Sequence, residues 1–246
     1  HLASYAELAE AKVDIGKDYD LICANFALLH QDIIPLLAAM QTLLAPGGAL
    51  LIQTLHPWSV AAGEYQDGWR SEAFTGFEGH WQPMPWYYRT LSSWLRALDK
   101  AFVGFLHELD PGCDPLVLMA AALTSHQLGH GHVCLDLFET LKEPDFALSL
   151  PPEGDSQGGA TVLPSQVLAN LEGAHWCKVL AASRLVALSA DDSETAQQRP
   201  LVLSGKRLYL RRYWAYERRI DNALRLRLAE HESTPADLPQ RLTGLF

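Results

Sequence analysis

The sequence predicts an α/β fold in two parts, and three observations carry that expectation. Residues 18–55 run strand, helix, glycine-rich turn and strand, which is a βαβ unit with parallel strands. Beyond about residue 100 the pattern changes to helices with a small β-hairpin near the C-terminal side. Finally, 246 residues with 48% hydrophobic and 20% charged side chains describe a globular chain, which excludes a disordered or fibrous one. Two segments are therefore expected, residues 1–100 and 101–246.

In the first segment Asp18-Tyr19-Asp20-Leu21-Ile22-Cys23-Ala24-Asn25 reads as a buried strand entered from acidic residues. Asp32 is a candidate cap for a helix over Ile33 to Leu44, because Ile34, Leu37, Met40 and Leu44 recur at helical spacing; Pro46-Gly47-Gly48 stops it. Ala49 to Leu55 is the second strand. The region after His56-Pro57-Trp58, rich in Trp69, Phe74, Phe77, Trp81, Trp86, Tyr87 and Tyr88, reads as a loop or lid. An aromatic cover over a sheet edge is favoured there over a substrate pocket wall.

Leu91 to Leu109 carries one or two amphipathic helices, and Asp114-Pro115 caps a buried helix that ends at Gly129. A short apolar stretch, Val133 to Leu141, follows. Pro151 to Gly159 is an exposed loop, and Pro164-Ser165 opens a short helix. Leu185 to Leu188, Leu201 to Leu203 and Leu208 to Leu210 read as strands, with Ser204-Gly205-Lys206 as a hairpin turn and the acidic Ala190 to Gln198 as a loop. A last helix over Arg211 to Glu230 puts Tyr213, Tyr216, Ile220, Leu224 and Leu228 on one face. Arg212, Arg218, Arg219, Arg225 and Arg227 fall largely elsewhere.

The apolar runs are far shorter than the roughly 20 residues needed to cross a bilayer, so no membrane span is expected. A formal net charge of -10 argues against broad nucleic-acid binding by the whole chain. Cys23, Cys113, Cys134 and Cys177 are widely separated and form no CxxC pair, so a reducing, cytoplasmic setting without a zinc ribbon is expected. No secretory signal is visible, and the start at His1 rather than Met suggests a fragment or processed product.

Ala3-Ser4-Tyr5, the run Asp18 to His30 and the run Leu44-Ala45-Pro46-Gly47-Gly48-Ala49-Leu50-Leu51-Ile52 together resemble the second half of a class I S-adenosylmethionine-dependent methyltransferase, over about residues 1–100. The resemblance implies a partial Rossmann-like sheet, with Ser4 and Tyr5 near an adenine. Asn25 and Phe26 would lie at a strand's carboxyl end, where ligands of open α/β sheets bind. The family's glycine-rich loop and ribose-binding acid do not appear in the sequence, so S-adenosylmethionine is possible but its site is incomplete.

The second segment carries a more distinctive pattern. Asp114-Pro115 through Ser125-His126-Gln127-Leu128-Gly129-His130-Gly131-His132-Val133-Cys134-Leu135-Asp136-Leu137, with Pro200-Leu201-Val202-Leu203-Ser204-Gly205-Lys206-Arg207-Leu208-Tyr209-Leu210-Arg211-Arg212-Tyr213, resembles the N-terminal domain of RecD over about residues 100–246. RecD is the alpha subunit of exodeoxyribonuclease V, the RecBCD helicase-nuclease. The resemblance implies docking onto RecB and RecC in DNA double-strand-break repair, with DNA met only through the assembled complex. Gly205-Lys206 is followed by Arg207 and lacks the upstream glycine, so it is not a phosphate-binding Walker loop, and no ATPase motor is expected in this chain.

His126, His130, His132 and Cys134 admit a metal reading, but Gly129 and Gly131 are expected to break the helix and deny them a common face. Hydrogen-bonded histidines at a helix end are favoured, and no metal is expected. The arginine stripe reads as a solvated face or protein interface in preference to a DNA contact, since Glu217, Asp221 and Glu230 can pair with it. The sequence thus predicts a methyltransferase half, non-catalytic alone, joined within a helical pattern near Leu98 to Phe102 to a docking domain. The alternative is an enzyme that transfers methyl groups from S-adenosylmethionine to a small molecule or protein.

Overall fold

The computed structural model describes residues 3–60, 64–76, 78–149, 162–229 and 243. Helix α1 (Tyr5–Ala9) opens on a capping box in which the Ser4 hydroxyl accepts the Glu7 amide at 3.3 Å and the Glu7 carboxylate accepts the Ser4 amide at 2.8 Å. Strand β1 (Tyr19–Asn25), helix α2 (Ile34–Leu43) and strand β2 (Leu44–Gln53) follow, with the strands parallel and Cys23 opposite Leu51. Ile33, not Asp32, holds the cap position, although the Asp32 carboxylate still accepts the Ile34 amide at 3.1 Å.

The Pro-Gly-Gly turn is taken up as an irregularity at the start of β2, where pairing jumps from Tyr19–Leu44 to Leu21–Ala49. Gly47 has φ +82°, and a Cβ on Gly48 would lie 2.7 Å from the Tyr19 carbonyl oxygen. Both positions therefore require glycine. Leu36, Leu37 and Met40 of α2 cover one face of the strand pair, packing with Ala24, Leu28 and Ile33. On the other face Leu21 is 54% and Leu51 57% exposed. Two parallel strands under one helix occur in many α/β folds and do not single out a Rossmann-like sheet.

The aromatic region departs from the expected loop or lid. Strands β3 (Gly68–Glu72) and β4 (Met84–Tyr88) form an antiparallel pair, with Trp69 opposite Tyr87 and their ring centroids 5.6 Å apart. Cross-strand aromatic pairs of this kind stabilise a ladder that the irregular spacing of the rings conceals in the sequence. Tyr88 is buried and donates to the Pro57 carbonyl at 2.9 Å. Arg89, 4% exposed, donates to the carbonyls of His30 and Gln31 and lies against the rings of Tyr87 and Trp94, tying this hairpin to the βαβ unit.

Leu91–Leu109 is one helix, α3, opened by the Thr90 hydroxyl. Trp94, Ala97 and Ala101 of α3 pack against the first core, whereas Phe102, Phe105 and Leu106 belong to the second. The division expected near residue 100 thus falls inside a continuous helix.

The second core gathers on α4 (Pro115–Gly129), which is capped by Asp114 as the sequence predicts. Strand β5 (Leu135–Asp136) and helices α5 (Leu137–Lys142), α6 (Pro144–Ala147) and α7 (Pro164–Val167) come next, and the expected loop over Pro151 to Gly159 lies outside the described residues. Helix α8 (Gly173–Ala182) inserts the fully buried Trp176, whose indole donates to the Leu116 carbonyl at 3.1 Å. Strand β6 (Val186–Leu188), a short helix α9 (Glu194–Gln197), strands β7 (Leu201–Ser204) and β8 (Arg207–Leu210), and helix α10 (Arg211–Ala229) complete the chain as described.

The expected hairpin is the centre of a four-stranded mixed sheet in the order β5-β8-β7-β6, with β6 and β7 parallel. The loop read between Ala190 and Gln198 contains α9, and Arg211 holds its far end by donating to the Ala196 carbonyl at 2.6 Å and to the Arg199 carbonyl at 3.0 Å. Among the described residues, no helix is long and apolar enough to cross a membrane.

Candidate functional site

The two sequence runs that carry the resemblance of the second segment meet in space. Leu135 pairs with Leu208 and Asp136 with Arg207 across β5 and β8. The Asp136 carboxylate also accepts the amides of Phe138 and Glu139 at 3.2 Å, capping α5, and lies 3.6 Å from the Lys206 ammonium. Burial pushes Asp136 up, but the Glu139 amide, Lys206 and Arg207 outweigh it and hold its carboxyl below the ordinary value. The Gly-His-Val-Cys-Leu run and the Arg-Leu-Tyr-Leu run are therefore halves of one sheet junction.

The Ser125-His126-Gln127 run has an equally definite place. The Ser125 hydroxyl donates to Asp99 on α3 at 2.6 Å, the His126 Nε2 lies 2.8 Å from the Leu148 carbonyl, and Gln127 donates to the Ala147 carbonyl at 2.6 Å. Together they fasten α4 to α3 and to the end of α6. Burial raises the Asp99 carboxyl, against the Ser125 hydrogen bond and the neighbouring His126 and His130. Ser125 is bonded to the carboxylate and not to an imidazole, so the set lacks the nucleophile-to-base order of a catalytic triad.

Between α3, α4 and α7 lies a cavity of about 570 Å³. Its walls are largely apolar, including Leu95, Met119, Leu123, Leu148 and Leu168, and its polar groups are Ser92, Arg96, Asp99, His126 and His130. A Cβ on Gly129 would lie 3.0 Å from the Leu95 side chain, so the glycine lets α3 and α4 approach closely beside this cavity.

Helix α4 continues through Gly129, and the His126 and His130 rings stand 4.4 Å apart on one face. The expected loss of their common face is thereby corrected: Gly129 remains helical, and the break comes at Gly131, with φ +87°. Burial, with His126 and His132 alongside, holds His130 below its ordinary value. Among the described residues, no group of three or more His, Cys, Asp or Glu side chains could hold a metal ion.

The residues assigned to S-adenosylmethionine by resemblance are dispersed over separate elements. Ser4 caps α1, with its hydroxyl and amide both engaged by Glu7, and Tyr5 is 44% exposed on the same helix. Asn25 ends β1 opposite Gln53, and Phe26, with φ 49° and 44% exposure, follows it. The Ser4 hydroxyl is thus engaged within the start of its own helix.

Helix α10 is the other conspicuous surface. It has no buried residue, and Ile220, Leu224, Leu226 and Leu228 are 54–78% exposed. Six arginines, Arg211, Arg212, Arg218, Arg219, Arg225 and Arg227, face two acids, Glu217 and Asp221, on this helix, a basic element on an acidic chain. Of the acids expected to pair with the stripe, Asp221 binds Arg225 at 2.8 Å, and Glu230 lies outside the described residues.

These features can be set beside known proteins. Residues 92–209 match the family model of the RecBCD enzyme subunit RecD, N-terminal domain. That match takes in α3 through most of β8 and contains the cavity, the Ser125-His126-Gln127 fastening and the β5–β8 junction. No curated protein matches the chain. The methyltransferase resemblance over residues 1–100 gains no support from these comparisons.

Proposed function

We propose that the second segment of the chain, which contains the matched residues 92–209 and continues through helix α10, forms a docking module of a RecBCD-type helicase-nuclease in DNA double-strand-break repair, associating with RecB and RecC, and that DNA is met only through the assembled complex in the cytoplasm. The observation that carries this reading is the RecD N-terminal domain match, with both of its distant sequence runs joined at β5–β8. Gly205-Lys206 supports a non-motor role, since it forms the tight turn between β7 and β8 and offers no phosphate cradle.

Helix α10 supplies the contact surface in this reading: its apolar stripe buries against the partner while its arginines steer an acidic surface toward it. Co-purification with the RecB and RecC subunits of the source organism tests it. The chain is expected to be retained, and Ile220→Glu with Leu224→Glu to abolish retention while leaving the thermal transition in place. Absence of subunit association, with DNA binding that falls steeply with salt and disappears on Arg218→Ala and Arg219→Ala, would replace docking with direct DNA contact.

A further inference from the structure

We propose that the cavity between α3, α4 and α7 is a binding site for a small anionic amphiphile, a carboxylate on an apolar body of about a dozen carbons. Its volume of about 570 Å³ is within the range of small-molecule sites, and its walls are leucine, methionine and valine side chains.

The polar groups at the cavity decide the sign of the ligand. Asp99 is engaged by Ser125, and the His126 Nε2 by the Leu148 carbonyl. Arg96 is exposed and makes no ion pair or hydrogen bond among the described residues. Ser92 stands four residues before it on α3, which places both on one helical face at the cavity. An uncommitted guanidinium with a hydroxyl beside it, at the edge of an apolar chamber, recognises a carboxylate whose tail enters the chamber. The Asp99 carboxylate in the same wall accepts the Ser125 hydroxyl, with His126 and His130 beside it, whereas Arg96 and Ser92 stand together at the edge.

Nothing in this site depends on the docking reading, because the ligand binds the chain alone. Dodecanoate and dodecyltrimethylammonium, each below its micelle-forming concentration, and dodecanol below its solubility limit are titrated onto the full chain and followed by calorimetry. Dodecanoate is expected to bind at one site, Arg96→Gln to weaken it roughly tenfold, and the cavity-filling Ala122→Trp to abolish binding. Arg96 is exposed, so Arg96→Gln keeps the fold, which thermal unfolding verifies, and reports on the head group even if Ala122→Trp perturbs packing. Equal affinity for all three probes, undiminished dodecanoate binding in Arg96→Gln, or no binding of dodecanoate would each overturn the proposal.

Discussion

The two cores of the chain solve the same problem to different degrees. Around α4 and α8, Val117, Ala120, Leu135, Trp176, Leu180 and Leu208 are wholly excluded from solvent, and helices and sheet bury one another's apolar faces. Around α2, residues such as Leu36, Leu37 and Met40 retain 5–8% exposure, and the strands they cover present Leu21 and Leu51 to solvent on the reverse side. Parallel strands are ordinarily covered on both faces. The difference teaches that a βαβ unit is half of a layered structure, whereas the second region closes its own core.

The largest effect that sharpens this contrast is expected at Trp176. Trp176→Ala removes a fully buried indole and its hydrogen bond to Leu116, and should cost about 3–5 kcal/mol by chemical denaturation. Leu37→Ala in the first core should cost less, about 2 kcal/mol, because its surroundings can settle toward the vacated space. Since α3 contributes to both cores, each variant also reports on coupling. Equal losses, with a single transition by every probe, would erase the distinction between the regions.

Legibility in the sequence follows the range of the interaction. The strands and helix of the βαβ unit, the Asp114-Pro115 start of α4 and the β7–β8 turn are set by neighbours a few residues apart, and their spacing reveals them. The β3–β4 pair is hidden because its ladder joins residues 12 to 20 apart through aromatic rings that do not alternate with polar ones. Helix α8 is ten residues long and holds its place through Trp176 against α4, a contact with no local signature. The cavity is harder still, since Arg96, Met119 and Leu168 come from three elements. His126 and His130 were visible as an i, i+4 pair, but the glycines obscured that the helix continues between them.

An intermediate effect should separate the arginines that tie backbone together in each region. Arg89 binds two carbonyls of the residue 30–31 turn and two aromatic rings, and its Nη1 has no hydrogen-bond partner among the described residues. Burial holds its guanidinium below the ordinary value. Arg89→Met exchanges these charge-assisted bonds for a flexible apolar side chain and should cost about 2 kcal/mol in thermal unfolding. Arg211→Met takes a donor from the carbonyls of Ala196 and Arg199 but leaves the buried Ala196 carbonyl bonded to the Arg199 amide, and should cost less, about 1 kcal/mol. The reverse order would mean that the residue 189–200 connection, not the aromatic hairpin, is the weaker joint.

The smallest stability change is expected on the bare side of the first sheet, and it tests the comparison most directly. Leu21 and Leu51 lie on the face that α2 does not cover, beside Cys23 and Ala49, so their side chains gain little by folding. Replacing both with serine should change stability by no more than about 0.5 kcal/mol, the usual range for surface positions. The same replacement removes an apolar patch from solvent, so self-association in sedimentation experiments should fall. Serine keeps the strand ladder intact, because each backbone bond between β1 and β2 is independent of these side chains. A loss of several kcal/mol in the monomeric chain would mean that this face packs against another part of the molecule, and the first region would then have the closed core that so far distinguishes the second.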